Sequence, residues 1–257
     1  MKRYIFRVEY IGKNYAGSQI QPNNPTVQSE LEKAISTLIR DSKSLDPNSN
    51  LSKTRKIKTV FSGRTDRGVS SRGQMVQFDT DESIVASRFI NSVNGLLPND
   101  ISVSEMKEVP TSFHVQKSAK KRHYRYVFVN RKQRSAFDFE LPLIRFDVDI
   151  ERVNKALKYL EGEHDFSSFR SSGGSNPDSV CFIYKAECQK LGDTVVLDIV
   201  GNRFLYNMVR IIVGTLLYLE KNNLPPELMK EILESKDRTK AGKTASPNGL
   251  TLMKVEY

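Results

Sequence analysis

Two pairs of predicted strands follow each other along the chain without a helical pattern between their members. The first pair covers about 100–108 and 122–130, and the second covers about 180–190 and 194–200. Parallel neighbours need a long crossover connection that is usually a helix, whereas antiparallel neighbours do not. The order of elements therefore predicts an α+β fold with largely antiparallel sheets, rather than a doubly wound parallel fold.

The remaining patterns alternate between strand and helix in two similar rounds. The first round has a strand over 3–11, a helix capped by Thr26 and running to about Asp41, a loop over 42–56, strands near 57–62 and 75–78, and a helix over about 83–97. The second has helices over about 150–161 and 204–221, a short helix opened by Pro225-Pro226, and a closing strand over 250–256. No strict repeat is present, but this recurrence predicts two related halves, 1–112 and 113–257, with a cleft between them.

The charge balance admits a nucleic-acid partner. Lys and Arg outnumber Asp and Glu by 40 to 30, which gives a net charge of +10. Such an excess suits a polyanion, because each neutralised phosphate releases a condensed counterion. A surface kept soluble by basic residues would have the same composition.

The longest apolar stretch, 204–219, is interrupted by Asn207 and Arg210 and is too short for a membrane span. The N-terminus enters a strand pattern directly, so we expect no signal peptide.

The cysteines and histidines indicate neither a disulfide nor a metal site. Cys181 and Cys188 lie seven residues apart, and on one strand that odd spacing would place them on opposite faces. His114, His123 and His164 are scattered along the chain rather than clustered as zinc ligands. We therefore expect a reducing compartment and a site without metal.

The segment 62–69 presents one carboxylate between two glycines. Its Arg64 and Arg67 flank Asp66, and neighbouring cations favour the ionised carboxylate that a nucleophile or base requires. Glycines on both sides allow a tight turn and close approach of a ligand. An Asp–Arg turn that merely holds a loop in place has the same composition.

Basic and aromatic residues are interleaved over 117–134. Strand alternation places Arg122, Tyr124, Tyr126 and Phe128 on one face, and His123 and Arg125 on the other. An unstacked base can lie on an aromatic ring while cations hold the phosphates, so this pattern suits RNA. The alternative is a core strand with solvated ends, which we prefer for Tyr126 and Phe128 but not for Tyr124.

Arg210 lies within the apolar stretch 204–216. A buried guanidinium without a partner is costly, so we expect an acidic side chain or a phosphate beside it. An ordinary structural ion pair would also satisfy this expectation.

Together, in this order, seven blocks of sequence resemble the TruA family of tRNA pseudouridine synthases. They are Tyr10-Ile-Gly with Tyr15-Ala-Gly17, Gln19 and Gln21; Thr26-Val27-Gln28; Gly63-Arg64-Thr65-Asp66 with Gly68-Val69 and Gly73-Gln74; Arg122-His123-Tyr124-Arg125-Tyr126; His164-Asp165-Phe166-Ser167; Phe204-Leu205-Tyr206 with Met208-Val209-Arg210 and Gly214; and Gly249-Leu250-Thr251-Leu252 with Val255-Glu256-Tyr257. The resemblance runs nearly from end to end.

The resemblance implies an isomerase that converts uridine to pseudouridine in tRNA without a cofactor or metal. Asp66 would be the catalytic carboxylate and Arg210 its ion-pair partner. Tyr124 would pack on the target base, and Arg64 would help displace the base or hold its backbone. The family is usually a homodimer in which tRNA contacts both subunits. Its fold is α+β, two halves around a central antiparallel sheet with helices on one side and the active site in the cleft. The default target is the anticodon stem-loop at positions 38–40, and a cytoplasmic location is expected, with a mitochondrial one left open.

Two other classes compete with this interpretation. One is a non-catalytic tRNA-binding or RNA-folding protein on the same scaffold, which has no need of Asp66 paired with Arg210. The other is a carboxylate-dependent hydrolase, for which no second acid or metal cluster is visible.

Four features depart from the family pattern and bear on substrate choice. Ser18 stands where an aromatic residue is frequent, Ser70-Ser71 where His-Ala is usual, and Cys181 where an arginine is expected. The loop over 42–56 is long for a compact bacterial member.

Overall fold

The computed structural model describes residues 1–44, 57–174 and 177–257. They form two compact units, Met1–Ala119 with Tyr257, and Lys120–Glu256. The assignment of separate functional halves to 1–112 and 113–257 stays a prediction. Of the predicted loop over 42–56, the first residues belong to a helix that ends at Ser44, and residues 45–56 lie outside the described residues.

The first unit contains an antiparallel sheet and two α-helices among its described residues. Its elements are β1 (Lys2–Tyr10), α1 (Val27–Ser44), β2 (Thr59–Phe61), β3 (Ser70–Thr80), α2 (Ala86–Leu96) and β4 (Ile101–Val109), with a 3₁₀ turn at Gly12–Asn14. The strand order is β4-β1-β3-β2, with Phe6 opposite Val76 and Val8 opposite Val103.

Alternation along β1 builds the core of this unit. The side chains of Tyr4, Phe6 and Val8 are buried, as the pattern predicts. The apolar stripe of α1 joins them, with Val27, Leu31, Ala34 and Ile35 buried and Leu38 and Ile39 packed at its edge. Thr26 caps this helix as predicted, because its hydroxyl accepts the Ser29 N–H at 3.2 Å.

The second unit contains a five-stranded antiparallel sheet with one short parallel addition. Its elements are β5 (Lys121–Asn130), β6 (Leu143–Ile144), α3 (Ile150–Lys158), β7 (Gly162–Asp165), β8 (Val180–Leu191), β9 (Thr194–Gly201), α4 (Met208–Lys221), α5 (Leu228–Ser235) and β10 (Leu250–Glu256), with 3₁₀ turns at Ser167–Phe169, Arg238–Lys240 and Pro247–Gly249. The order is β10-β5-β9-β8-β7, and β6 lies parallel to β5. Both units confirm the predicted α+β class with largely antiparallel pairing.

The long helix predicted over 204–221 begins later, at Met208. Asn207 has a left-handed backbone with φ of 60°, and the Met208 N–H donates to Leu205 O in the turn before the helix. Asn tolerates this conformation better than most residues, so it separates the apolar turn from the helix that follows. Strands β6 and β7 were not predicted, because they are short and their sequences do not alternate.

The prediction that Cys181 and Cys188 lie on opposite strand faces is wrong. The pairing of β8 with β9 shifts register between Ile183 and Lys185, so the alternation of the strand changes phase there. Both cysteines consequently point into the buried side, as free thiols.

Candidate active site

The loop that carries Asp66 connects β2 to β3 and is anchored at its start by buried polar groups. The Ser62 N–H donates to Met75 O at 2.8 Å, and the Ser62 hydroxyl donates to Gln74 Oε1 at 2.6 Å. The Gln74 side chain in turn donates to Gly63 O at 2.8 Å. Ser62 and Gln74 are fully buried, so these bonds replace water for groups that would otherwise be unsatisfied.

Thr65, the residue before Asp66, is held from two directions. Its hydroxyl shares a 2.8 Å hydrogen bond with the Tyr10 hydroxyl. Its N–H donates to Ser18 Oγ at 2.9 Å, and its carbonyl accepts the Ser18 N–H at 3.2 Å. Burial raises the pKa of Tyr10 to about 12, so this phenol stays protonated at neutral pH. The backbone that leads into Asp66 is therefore fixed on both sides.

Two glycines allow the close approach that this arrangement needs. Gly68 has φ of 79°, which favours glycine, and its N–H donates to Tyr15 O at 3.4 Å. Gly17 has φ of 116°, and a Cβ there would lie 2.8 Å from Thr65 O. A larger residue at either position would strain the turn that presents Asp66.

Asp66 is accessible although its support is buried. Thr65 is only 6% exposed, whereas Asp66 is partly exposed and Arg64 and Arg67 are exposed. The loop thus presents a carboxylate between two cationic side chains on a fixed backbone. That is the arrangement expected of a nucleophile or base acting on a polyanion.

The serines that depart from the family pattern all support this loop or the start of β3. The Ser70 hydroxyl accepts the Gly12 N–H at 3.0 Å. The Ser71 hydroxyl accepts the N–H groups of Gly73 and Gln74 at 3.1 and 2.9 Å. With Ser18, three hydroxyls bond the backbone here.

Tyr124 lies in β5 beside the turn that precedes α4. Its ring packs edge-on against Phe204, with 5.1 Å between ring centroids, and 9% of the residue is exposed. Tyr124, Tyr126 and Phe128 are all buried, which confirms the core interpretation for the last two; contact of Tyr124 with a base stays a prediction. The Tyr126 hydroxyl donates to Ser246 O at 2.9 Å.

The opposite face of β5 carries a charge cluster that the sequence analysis missed. Asp198 on β9 lies directly across from Arg125 and accepts its two hydrogen bonds at 2.9 and 3.0 Å. His123 contacts the same carboxylate at 2.6 Å, so His123 and Arg125 share a face as predicted. Burial alone would raise the pKa of Asp198, but hydrogen bonds from Arg125 and His123 lower it overall. The sequence signal for this cluster is Asp198 itself, a single acidic residue within the otherwise apolar segment 195–200.

Arg210 lies in the first turn of α4 and is oriented by neighbouring oxygens. Its Nε donates to Ala245 O at 2.8 Å, and its Nη1 donates to Asn207 Oδ1 at 2.7 Å. The Ala245 N–H donates back to Arg210 O at 3.0 Å. These bonds fix the direction of the guanidinium. Its predicted pairing with Asp66 stays a prediction.

The predicted site residues therefore fall into two groups. Asp66 and Arg64 share one loop of the first unit. Tyr124 and Arg210 belong to the second unit. Phe204 packs against Tyr124 on β5, and Asn207 bonds Arg210 at the start of α4.

Over residues 1–44, 57–174 and 177–257, no three His, Cys, Asp or Glu side chains are grouped as metal ligands. In the same part of the chain, no helix is long and apolar enough to cross a membrane.

Comparison with known proteins identifies the family. A family model described as tRNA pseudouridine synthase matches residues 7–116 and 156–257. A tRNA pseudouridine synthase A of Thermoanaerobacter sp. (strain X514) is 39% identical over 100% of both chains. That of Anoxybacillus flavithermus is 42% identical over 100% of this chain and 99% of its own, and that of Francisella tularensis subsp. novicida is 40% identical over 100% and 95%. Because the family model covers more than half of the chain and these relatives cover all of it, this chain belongs to the tRNA pseudouridine synthase family.

Proposed function

We propose that this chain isomerises uridine to pseudouridine at positions 38–40 of the tRNA anticodon stem-loop, with Asp66 as the catalytic carboxylate. The observation that carries the proposal is a partly exposed aspartate, flanked by arginines, on a loop whose backbone is held by buried hydrogen bonds. Membership of the family supplies the reaction. A binding protein would have no need to hold a carboxylate so firmly.

The reaction conserves the composition of the nucleotide. The N1–C1′ bond breaks, the uracil turns, and a C5–C1′ bond forms; C5 loses its proton and N1 gains one. The target base must leave the helical stack to reach a protein side chain. Asp66 acts either as a nucleophile toward the sugar or base, or as the base that removes a ribose proton. Both routes require an ionised carboxylate held at a fixed position.

We assign the other site residues to positioning and binding. Arg210, oriented by Ala245 O and Asn207, would keep Asp66 ionised and aimed. Tyr124 would pack on the uracil and assist removal of the C5 proton. Arg64, exposed beside Asp66, would displace the base or hold the RNA backbone.

Tritium release from tRNA containing 5-tritiated uridine tests the reaction directly. Wild type should release tritium, and Asp66→Asn should lose at least about 10³-fold of the rate while its Kd for tRNA changes little. Asp147→Asn removes an exposed carboxylate of the same charge and should behave as wild type. Tight tRNA binding without release by wild type would overturn the isomerase and support the non-catalytic binding protein.

The target positions need a separate comparison. Replacing uridines 38–40 by cytidine in a transcript should abolish release, whereas replacing uridines elsewhere should not. Undiminished release from the 38–40 variant would show an isomerase with other target positions.

We also propose that the protein is a cytoplasmic homodimer. Family membership supports dimerisation, and two buried free cysteines suit a reducing compartment. Light scattering after gel filtration should give twice the chain mass of 29.3 kDa; a monomer mass would contradict the dimer. Cell fractionation should find the protein in the cytosolic fraction rather than in an organelle.

A further inference from the structure

Ser18 combines complete burial with contacts to the residue before the catalytic aspartate. Its side chain has no exposed surface, and its hydroxyl and N–H both bond Thr65, at 2.9 and 3.2 Å. Ser18 therefore bonds the main chain of Thr65 at two points, once through its side chain and once through its own main chain. Thr65 N–H, the group that donates to the hydroxyl, belongs to a residue that is itself buried.

The same serine connects the loop to a helix. Its carbonyl accepts the Gln28 N–H at 2.9 Å, in the first turn of α1, and the preceding Gly17 accepts the Val27 N–H at 3.3 Å. A helix whose apolar face is buried in the core is a rigid support. Thr65 is thereby attached to the first turn of α1 through one residue, Ser18, by its hydroxyl and its backbone.

We propose that Ser18 is a positioning residue for Asp66, and that its hydroxyl fixes the Arg64–Thr65 peptide, one residue before the carboxylate. The proposal rests on the proposed function of Asp66. Ser18 does not touch the substrate in this account; it acts through Thr65. Displacement of a catalytic group by about 1 Å can cost 10²-fold in rate, so loss of this bond should appear in kcat.

The first test compares Ser18→Ala with Ser118→Ala. Both changes remove a hydroxyl that accepts a backbone N–H, from Thr65 in one case and from His114 in the other, the latter at 3.3 Å. Single-turnover tritium release should fall about 10- to 100-fold in Ser18→Ala, with Kd for tRNA within about twofold of wild type. Ser118→Ala should keep the wild-type rate of release and Kd. In urea unfolding, both variants should be less stable than wild type.

Hydrogen exchange provides a readout that does not depend on activity. The amide of Thr65 should exchange faster in Ser18→Ala than in wild type, while amides of β1 keep their protection. Unchanged exchange at Thr65, or a kcat equal to that of wild type in folded Ser18→Ala, would overturn the role of Ser18. A rise in Kd with unchanged kcat would overturn it as well.

Ser18→Thr keeps the accepting oxygen and decides the question if Ser18→Ala does not fold. It should retain kcat within about threefold of wild type, because the accepting oxygen is kept; the added methyl group enters a fully buried site and should lower the free energy of unfolding instead. A tenfold loss in a folded Ser18→Thr would contradict the proposal. Absence of release by wild type would instead refute the proposed function, so the two failures are distinguishable.

Discussion

At the scale of single residues, Cys181 and Cys188 show how one backbone irregularity changes a chemical environment. The register shift in β8 places Cys188 on the same buried side of the sheet as Cys181. Burial raises the pKa of Cys188 to about 12 and raises that of Cys181 as well. Thiolate is the reactive form, so both side chains should be inert in the native protein.

We therefore expect the folded protein to resist thiol reagents. At pH 8 a chromogenic disulfide should label the native chain at least about 10²-fold more slowly than the chain in denaturant, because only the thiolate reacts and access is blocked. The two rates are followed by absorbance. Rapid labelling of two thiols per folded chain would contradict the burial of both.

At the scale of elements, the start of α1 is set by one local interaction. Thr26 accepts the Ser29 N–H, and the Ser29 hydroxyl is bonded back to the Thr26 carbonyl at 2.8 Å. Such caps satisfy helix N–H groups that have no partner within the helix. Because Gly17 and Ser18 bond the same first turn, the cap also bears on the loop of Asp66.

Removing the Thr26 hydroxyl should lower the free energy of unfolding, because the Ser29 N–H loses its hydrogen-bond acceptor. Thr26→Ala should lower the free energy of unfolding by about 1 kcal/mol, and Thr26→Ser, which keeps the hydroxyl, by much less. Urea titration followed by circular dichroism measures both. Equal losses in the two variants would show that the methyl group of Thr26, rather than its hydroxyl, stabilises the helix.

The pairing of β5 with β9 depends on an ion pair with a defined pH response. The pKa of Asp198 is lowered by Arg125 and His123 despite burial, so the carboxylate stabilises the fold above its ordinary pKa of 3.8. This stability should disappear as the pH falls below 3.8 through the lower native value.

Asp198→Asn isolates that contribution. At pH 7 it should lower the free energy of unfolding by about 2 kcal/mol, and the difference from wild type should shrink as the pH falls below 3.8. Asp193→Asn, at a largely exposed carboxylate 3.4 Å from Arg131, is the matched control and should cost less than about 0.5 kcal/mol. A pH-independent difference would mean that packing, not charge, is lost.

At the scale of the whole molecule, the net charge of +10 is expected to favour association with RNA. If about six phosphates are neutralised, tRNA affinity should fall about 10³-fold between 50 and 200 mM salt. Arg64→Gln should reduce the slope of log K against log salt by about one, because one cation is removed. Filter binding over a salt series measures both slopes, and a salt-independent Kd would exclude a binding mode dominated by phosphate contacts.

Local pattern was enough to predict most of the elements and the family to which the chain belongs. Alternation in β1, the stripe of α1 and the cap at Thr26 depend on neighbours in sequence, and the structure confirms them. The blocks around Asp66, Tyr124 and Arg210 likewise carried the resemblance, and the comparison with known proteins confirmed the family; the roles of these residues stay predictions.

Tertiary structure decided what depends on partners distant in sequence. The bonds of Thr65 to Tyr10 and Ser18, and the pairing of Arg125 with Asp198, join residues 47 to 73 positions apart. The register shift in β8 exists only against β9, and it moved Cys188 to the face that alternation had excluded. Alternation along a strand shows which face a residue occupies only while the strand pairing is regular. Irregular pairing and polar contacts depend on residues distant in sequence. Such contacts, from Tyr10 and Ser18 to Thr65, hold the loop that carries Asp66.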